Sequence, residues 1–461
     1  TILTNTLMKK AIMLFTFILT SVFALAQSLE GSWNGKLDVM GTQLNIVFNI
    51  SKGDDGALKC TMDSPDQGAT DIPAEITVSD GVKVKISVPA IMAEYTGELK
   101  DGMLKGSFSQ SGMQFALDMK PGKVERNRPQ MPKEPYPYKT EEVTFTNTAD
   151  NAALSGTLTY PVGFDKAAKG SVPVVIMVTG SGLQNRDEEL FGHKPFLVIA
   201  DYLARNGIAT LRYDDRGTGK STGDAASATT ENFMKDALAA VDFAHRTGKF
   251  GRVGVLGHSE GGSIAFMLGA QGKADFIVSM AGPGVSGKDI LLAQNRLGLT
   301  QGGATADITD SFCKVLDKVF DVMASGENVA QPTMKVTEIV LQTGVTLPEA
   351  LVRDLAKSME ICTPWLRYFI SYDPSADISA AKCPVMAVNG DKDMQVSASE
   401  NLSAIRRLLS ANSLNLVKEY PGLNHLFQHC TTGNPMEYVQ IEETVSPEVM
   451  QDIAAWINKV K

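Results

Sequence analysis

The chain has 461 residues, more than one hydrophobic core holds, so two or three domains are expected. Hydrophobic residues at 43% and charged residues at 21% exclude a mainly disordered, collagen-like or coiled-coil chain. A formal charge of −9 argues against binding nucleic acid by phosphate neutralisation, and five cysteines without a Cys-x-x-Cys pair suggest neither a disulfide scaffold nor a zinc or redox site.

The N-terminus reads as an address. Met8-Lys9-Lys10 is a short basic segment, Ala11 to Phe23 is almost wholly apolar, and Ala24-Leu25-Ala26 fits a small-x-small cleavage pattern before Gln27. Residues 1–26 are therefore expected to be a secretory signal starting at Met8, with Thr1 to Leu7 upstream of the true start. The apolar run is too short to span a bilayer comfortably, so the mature protein is expected to be secreted or periplasmic, with no integral membrane association. No Cys follows the cleavage site to carry a lipid anchor. Cys60, Cys313, Cys362, Cys383 and Cys430 would meet an oxidising compartment, where an odd count leaves at least one unpaired within the chain.

Residues 27–120 follow a pattern of short strands and turns. Gln43 to Ile50, Val82 to Ile86 and Met113 to Leu117 alternate with period two. Asp54-Asp55-Gly56, Ser79-Asp80-Gly81 and Lys100-Asp101-Gly102 are turn sequences in which Gly supplies positive φ. Roughly eight strands in about ninety residues predict an antiparallel meander forming a small all-β barrel or sandwich. Gly31-Ser32-Trp33 resembles the opening strand of lipocalin-like barrels. The region carries no catalytic constellation and is expected to be a binding or packing module.

Residues 121–138 are punctuated by Pro121, Pro129, Pro132, Pro135 and Pro137, which predicts an extended, solvated linker. Beyond it, over 139–461, buried-type strands such as Val174 to Val178 and Val253 to Leu256 alternate with helical stretches such as Phe196 to Asn206 and Asn232 to Arg246. That alternation predicts an α/β domain whose mostly parallel sheet is covered by helices on both faces.

Gly257-His258-Ser259-Glu260-Gly261 lies between an apolar strand and the helical run Gly262 to Gly269. Gly-x-Ser-x-Gly in that context is a nucleophile elbow: the serine occupies a strained turn and its flanking glycines avoid side-chain overlap. Ser259 is the candidate nucleophile. It needs a base and an orienting acid, which in this kind of fold follow in the order Ser, acid, His. The buried strand Pro384 to Gly390 leads into Asp391-Lys392-Asp393-Met394-Gln395-Val396, and the spacing points to Asp393, with Asp391 the alternative. Of five histidines, His193, His245 and His258 do not follow the acid, which leaves His425 and His429. His425 follows Tyr420-Pro421-Gly422-Leu423-Asn424, a turn after a strand from which a loop reaches back over the serine, and is the preferred base.

With these residues in view, the chain from about Lys139 resembles the α/β-hydrolase superfamily, and within it secreted bacterial serine esterases with an extra N-terminal domain. The matching pieces are Val178-Thr179-Gly180-Ser181-Gly182, Tyr213 to Ser221, the elbow, Asn389 to Asp393, and Asn424-His425. The resemblance implies an oxyanion hole with one backbone donor from Glu260 and the other from Ser181 or Gly182, Thr179 replacing the family's usual His. Gly217-Thr218-Gly219-Lys220-Ser221 is not a P-loop, because Asp214 stands where the first glycine is required.

Phe276 to Ala281 reads as a strand, yet the next begins only near Cys383, and Ile308 to Met323 and Glu349 to Tyr368 are helical in period. An insertion over about 285–375 is expected to be a helical cap, with Trp365, Tyr368 and Phe369 either lining the pocket or forming cap core. The leading functional reading is a carboxylic ester hydrolase acting on a small-molecule ester, with no metal and no cofactor. A serine peptidase taking short peptides on the same triad is the alternative, and a binding protein with an inert hydrolase fold is the third.

Overall fold

A computed structural model describes residues 29–460 apart from Met40, Asp54 and Glu125. The expected signal segment lies outside the described residues. The chain divides into two units, 1–126 and 127–461.

The first unit is built from hairpins. Strands β1 (Gly31–Val39), β2 (Thr42–Lys52), β3 (Leu58–Ser64), β4 (Ala69–Ser79), β5 (Lys83–Val88), β6 (Ala93–Lys100), β7 (Met103–Gln110) and β8 (Met113–Ala116) pair antiparallel in chain order. At Asp80-Gly81 and Asp101-Gly102 both turn residues have positive φ; Asp101-Gly102 form a two-residue turn between the paired Lys100 and Met103, whereas Val82 adds a third residue between the paired Ser79 and Lys83. Period-two alternation turns Ile46, Phe48 and Ile50 into the core, where they meet Val84, Ile86, Tyr95 and Phe108. After β8 the chain runs on: Met119 bridges Leu104 of β7, and β9 (Lys120–Pro121) pairs with Asn34 and Trp33 of β1. The last segment thus joins both ends of the meander and closes it as a barrel, with β9 covering Trp33 and Asn34 on the outer edge of β1.

The Pro-rich segment does not behave as solvated linker throughout. From Asn127 it belongs to the second unit. Arg128 donates to the carbonyls of Phe191, Val439 and Ile441, Gln130 exchanges hydrogen bonds with Thr444 and Val445, and the Tyr138 hydroxyl donates to Asp201 at 2.8 Å. Proline removes backbone donors and bars helix, but it leaves the intervening side chains able to bond to a neighbouring surface.

The second unit holds an eight-stranded sheet in the order β10-β11-β13-β12-β14-β15-β16-β17. Its strands are β10 (Thr140–Asn147), β11 (Ala152–Thr159), β12 (Val174–Val178), β13 (Ala209–Tyr213), β14 (Val253–His258), β15 (Phe276–Met280), β16 (Val385–Gly390) and β17 (Leu416–Tyr420). The first two form an antiparallel hairpin on one edge, and every pair from β13 onward is parallel. Both faces are buried, as the continuous apolar strands required. Val174, Ile176 and Val178 enter one core, shared with residues of α2 (Thr230–Thr247) and α3 (Glu260–Ala270). Val175 and Met177 enter the other, packed by α1 (Pro195–Arg205) and by the C-terminal helix Pro447–Val460.

Between β15 and β16 lie α4 (Gly287–Gln301), α5 (Ala306–Ser325), α6 (Pro332–Thr343), α7 (Glu349–Glu360) and α8 (Pro364–Ser371). They enclose a separate core around Phe312, Val315, Leu316, Val319, Val336 and Leu355, so the cap carries its own apolar support. The helical run expected from Glu349 to Tyr368 is two helices. Pro364 cannot donate to the preceding turn, and the Thr363 hydroxyl instead accepts the Leu366 N–H at 3.1 Å, starting a new helix.

Candidate active site

The elbow lies where β14 passes into α3. Ser259 has φ 53° and ψ −121°, a conformation that L side chains avoid and that costs about 1–3 kcal/mol. Its flanking glycines are a steric requirement. A Cβ on Gly257 would overlap the carbonyl of Gly261, and a Cβ on Gly261 would overlap the carbonyl of Val178. The Ser259 N–H donates to Met280 O at 2.9 Å, tying the turn to β15, and the N-terminus of α3 starts at the next residue. Its exposed amide dipoles favour negative charge there.

Asp393 and His425 come from the loops after β16 and β17, neighbouring parallel strands that run to the same end of the sheet. His425 Nδ1 lies 2.7 Å from Asp393 Oδ2, and both side chains are buried. The other oxygen of Asp393 accepts the N–H groups of Gln395 and Val396 at 2.8 and 2.9 Å, so the carboxylate is held at both ends. The alternatives lie elsewhere. Asp391 is exposed and accepts the Gly422 N–H at 2.6 Å; His429 is exposed and pairs with Glu443 at 2.8 Å.

His258 joins these parts. Its ring lies 4.7 Å from that of His425, centroid to centroid, and its Nε2 is 2.9 Å from the His425 carbonyl oxygen. The residue before the serine therefore carries the His425 loop against the elbow. On its other side, His258 Nδ1 meets Glu188 Oε1 at 2.9 Å, and the same oxygen accepts the Gly180 N–H at 2.9 Å. Glu188 was not singled out from sequence: Asp187-Glu188-Glu189 reads as a solvated acidic loop, yet Glu188 is buried.

The segment expected to supply an oxyanion donor packs on the nucleophile, since a Cβ on Gly180 would stand 3.1 Å from the Cβ of Ser259. Gly180's own N–H is taken by Glu188. Those of Ser181, Gly182 and Glu260 have no protein acceptor among the described residues. Gly182 and Glu260 line one small recess together with Asp215. Burial pushes the Asp215 carboxyl up to about 8, against the hydrogen bonds it accepts from the Gln184 N–H and the Thr179 hydroxyl, with the charges of Asp236 and Glu188 adding to the rise.

The cap reaches this centre through Trp365 and also through Gln294, which donates to the Gln395 carbonyl at 2.8 Å. Trp365 stacks on Phe369 and donates its indole N–H to the Glu260 carboxylate at 2.9 and 3.1 Å, beside the Thr230 hydroxyl at 2.6 Å. The P-loop-like segment is engaged internally: Ser221 Oγ accepts the Ser155 N–H and donates to the Asp214 carbonyl, and Arg216 pairs with Asp150 and Asp236. None of the five cysteines is in a disulfide. Among the described residues, no helix is long and apolar enough to cross a membrane.

A parallel sheet entered by an antiparallel hairpin, a strained Gly-x-Ser-x-Gly turn between strand and helix, and a helical insertion before the penultimate strand define an α/β-hydrolase domain. The family model described as serine aminopeptidase, S33, matches residues 195–301. Among curated proteins the chain is similar to esterase EstD of Thermotoga maritima, 25% identical over 307 residues, which cover 66% of each chain. The chain thus spans just under two thirds of that relative's length. Among solved structures it is similar to the Pyrococcus furiosus esterase Pf2001, at 17% identity and a TM-score of 0.41 over 73% of this chain and 99% of that one. It is likewise similar to Est1E from Butyrivibrio proteoclasticus with ferulic acid bound, at 16% and 0.40 over 69% and 98%. The chain thus has an α/β-hydrolase domain preceded by an all-β domain, and it is similar to esterases of that superfamily.

Proposed function

We propose that the protein is a carboxylic ester hydrolase in which Ser259, His425 and Asp393 act as the triad. The observation that carries the reading is the buried 2.7 Å contact between His425 and Asp393, held against the strained elbow by His258. In this mechanism Ser259 Oγ attacks the ester carbonyl as His425 Nε2 takes its proton. Asp393, ionised, keeps the proton of His425 on Nδ1 and stabilises the imidazolium that forms. The tetrahedral oxyanion is met by the Glu260 N–H and by Ser181 or Gly182, and losing one such donor costs about 10²–10³ in turnover. His425 returns its proton to the leaving alcohol, and water admitted in its place hydrolyses the acyl-enzyme by the same steps in reverse.

A peptidase reading has one observation in its favour, the aminopeptidase family match over residues 195–301. Against it, the carboxylate nearest the nucleophile in sequence, Glu260, already accepts hydrogen bonds from Trp365 and Thr230 and is not free to hold a substrate ammonium. The N-terminal leader pattern supports a secreted or periplasmic location for the mature enzyme.

Two measurements test the proposal. A fluorophosphonate probe should label the native chain and fail to label Ser259→Ala of equal fold. A panel of p-nitrophenyl esters beside aminoacyl-anilides should show ester turnover with little anilide turnover. Undiminished labelling of Ser259→Ala refutes the nucleophile, and a preference for anilides moves the enzyme to the peptidase class.

A further inference from the structure

His258 has no part in the chemistry above, yet it is buried against the reacting residues with both ring nitrogens engaged. Its Nε2 faces the carbonyl oxygen of His425 at 2.9 Å, and a carbonyl only accepts, so Nε2 bears a proton. Its Nδ1 faces Glu188 Oε1 at 2.9 Å. A bare lone pair there would meet the lone pairs of a carboxylate, so this contact needs a proton as well. With Glu188 ionised, the ring is doubly protonated.

We infer that His258 is a standing imidazolium, and that Glu188 and His258 are positioning residues for hydrolysis, an ion pair fastening the oxyanion-side loop to the backbone of His425. The inference rests on the ester-hydrolase reading for its kinetic part only. Three segments meet at this one ring: the loop after β12 through Glu188 and the Gly180 N–H, the elbow through the chain itself, and the loop after β17 through the His425 carbonyl. The carbonyl contact restrains the backbone of His425 while Asp393 restrains its Nδ1. Two such points set the direction in which the ring offers Nε2 to the serine. Glu188 adopts φ 53°, a conformation that persists in a non-glycine residue only where its surroundings over-determine it.

The charged and titratable groups facing the His258 ring are Glu188 from the loop after β12, Asp393 from the loop after β16 and His425 from the loop after β17. Burial by itself would strip the ring of its extra proton. The charge of Glu188 and its hydrogen bond, the His425 carbonyl and the charge of Asp393 together outweigh burial and hold the ring above the ordinary histidine range. The second ring proton is therefore lost only as pH rises through that raised value. Without Glu188's charge, burial is opposed only by the His425 carbonyl and the charge of Asp393, and the ring gives up its second proton at lower pH.

The experiment is ring ¹⁵N–¹H correlation on the untagged, ¹⁵N-histidine-labelled chain between pH 6 and 9, paired with p-nitrophenyl acetate kinetics across the same range. One of the five histidines should keep both ring nitrogens protonated above the ordinary histidine range and lose that signature in Glu188→Gln. Glu188→Gln should also lower kcat by about 10- to 100-fold with KM little changed, the scale expected when reacting groups are misplaced by a fraction of an ångström to an ångström. Five rings that all lose their second proton within the ordinary histidine range overturn the imidazolium. A folded Glu188→Gln with the kcat of the native enzyme overturns the positioning role. If Glu188→Gln does not fold, Glu188→Asp, one methylene short of the ring, carries the same kinetic expectation. The Ser259→Ala protein should retain the doubly protonated ring, so the charge assignment stands or falls without ester turnover.

Discussion

Replacing Asp393 by Asn changes one atom and should cost about four orders of magnitude in kcat. The structure gives the reason. Asp393 Oδ1 accepts two backbone N–H groups, from Gln395 and Val396, and Oδ2 faces His425 Nδ1. An amide in the same place keeps its oxygen on the two N–H donors, because turning it over would set NH₂ against them. The NH₂ group then faces His425 Nδ1 and forces it to accept, which moves the ring proton to Nε2 and leaves no lone pair to take the proton of Ser259. A wrong tautomer of this kind costs ~10⁴ in kcat, or about 5.4 kcal/mol of barrier. Stability should change little, since both backbone donors keep their acceptor. Initial rates on p-nitrophenyl acetate, with thermal melts of both proteins, provide the assay. Asp391→Asn and His429→Ala are the controls, both exposed and both expected to lose far less. A folded Asp393→Asn within tenfold of the native rate would refute the reasoning, and a larger loss in Asp391→Asn would transfer the role to that residue.

Three further outcomes are expected. Trp365→Phe keeps the stack on Phe369 but removes the donor to the buried Glu260 carboxylate, and should cost about 1–3 kcal/mol in chemical denaturation; no change in midpoint would mean that water replaces the indole. Asp215 is held protonated up to about 8 by burial, so folding takes up a proton there between the ordinary carboxylate range and that value, and the cost of burying this acid grows as pH rises across the window. Asp215→Asn should accordingly raise the Tm at pH 8 and raise it less at pH 5, and a pH-independent difference would contradict the assigned protonation. A chain starting at Asn127 should hydrolyse short soluble esters with comparable kcat and melt higher than one starting at Tyr138, which lacks the hydrogen bonds of Arg128 and Gln130; equal melting temperatures would show that those bonds add nothing.

Some of this protein is written locally. Asp80-Gly81 and Asp101-Gly102 specify their turns because both positions need positive φ, and Gly257 and Gly261 are demanded by the carbonyls they touch. The strands of the sheet and the strand-to-helix position of Ser259 follow from apolar runs and spacing of the same short range. Other features depend on residues distant in sequence meeting in space. Barrel closure rests on Pro121 and Lys120 finding Trp33 and Asn34, and the docking of the Pro-rich segment rests on a loop more than three hundred residues away. Which aspartate faces His425 is a matter of where two loops cross beyond neighbouring strands: Asp391 and Asp393 differ by two positions, yet one holds a turn amide and the other a buried imidazole. Glu188 carries no local mark at all, because an acid in a polar loop is ordinarily solvated. Only the tertiary fold buries it against His258, and burial is what turns a common ion pair into one that holds three loops together.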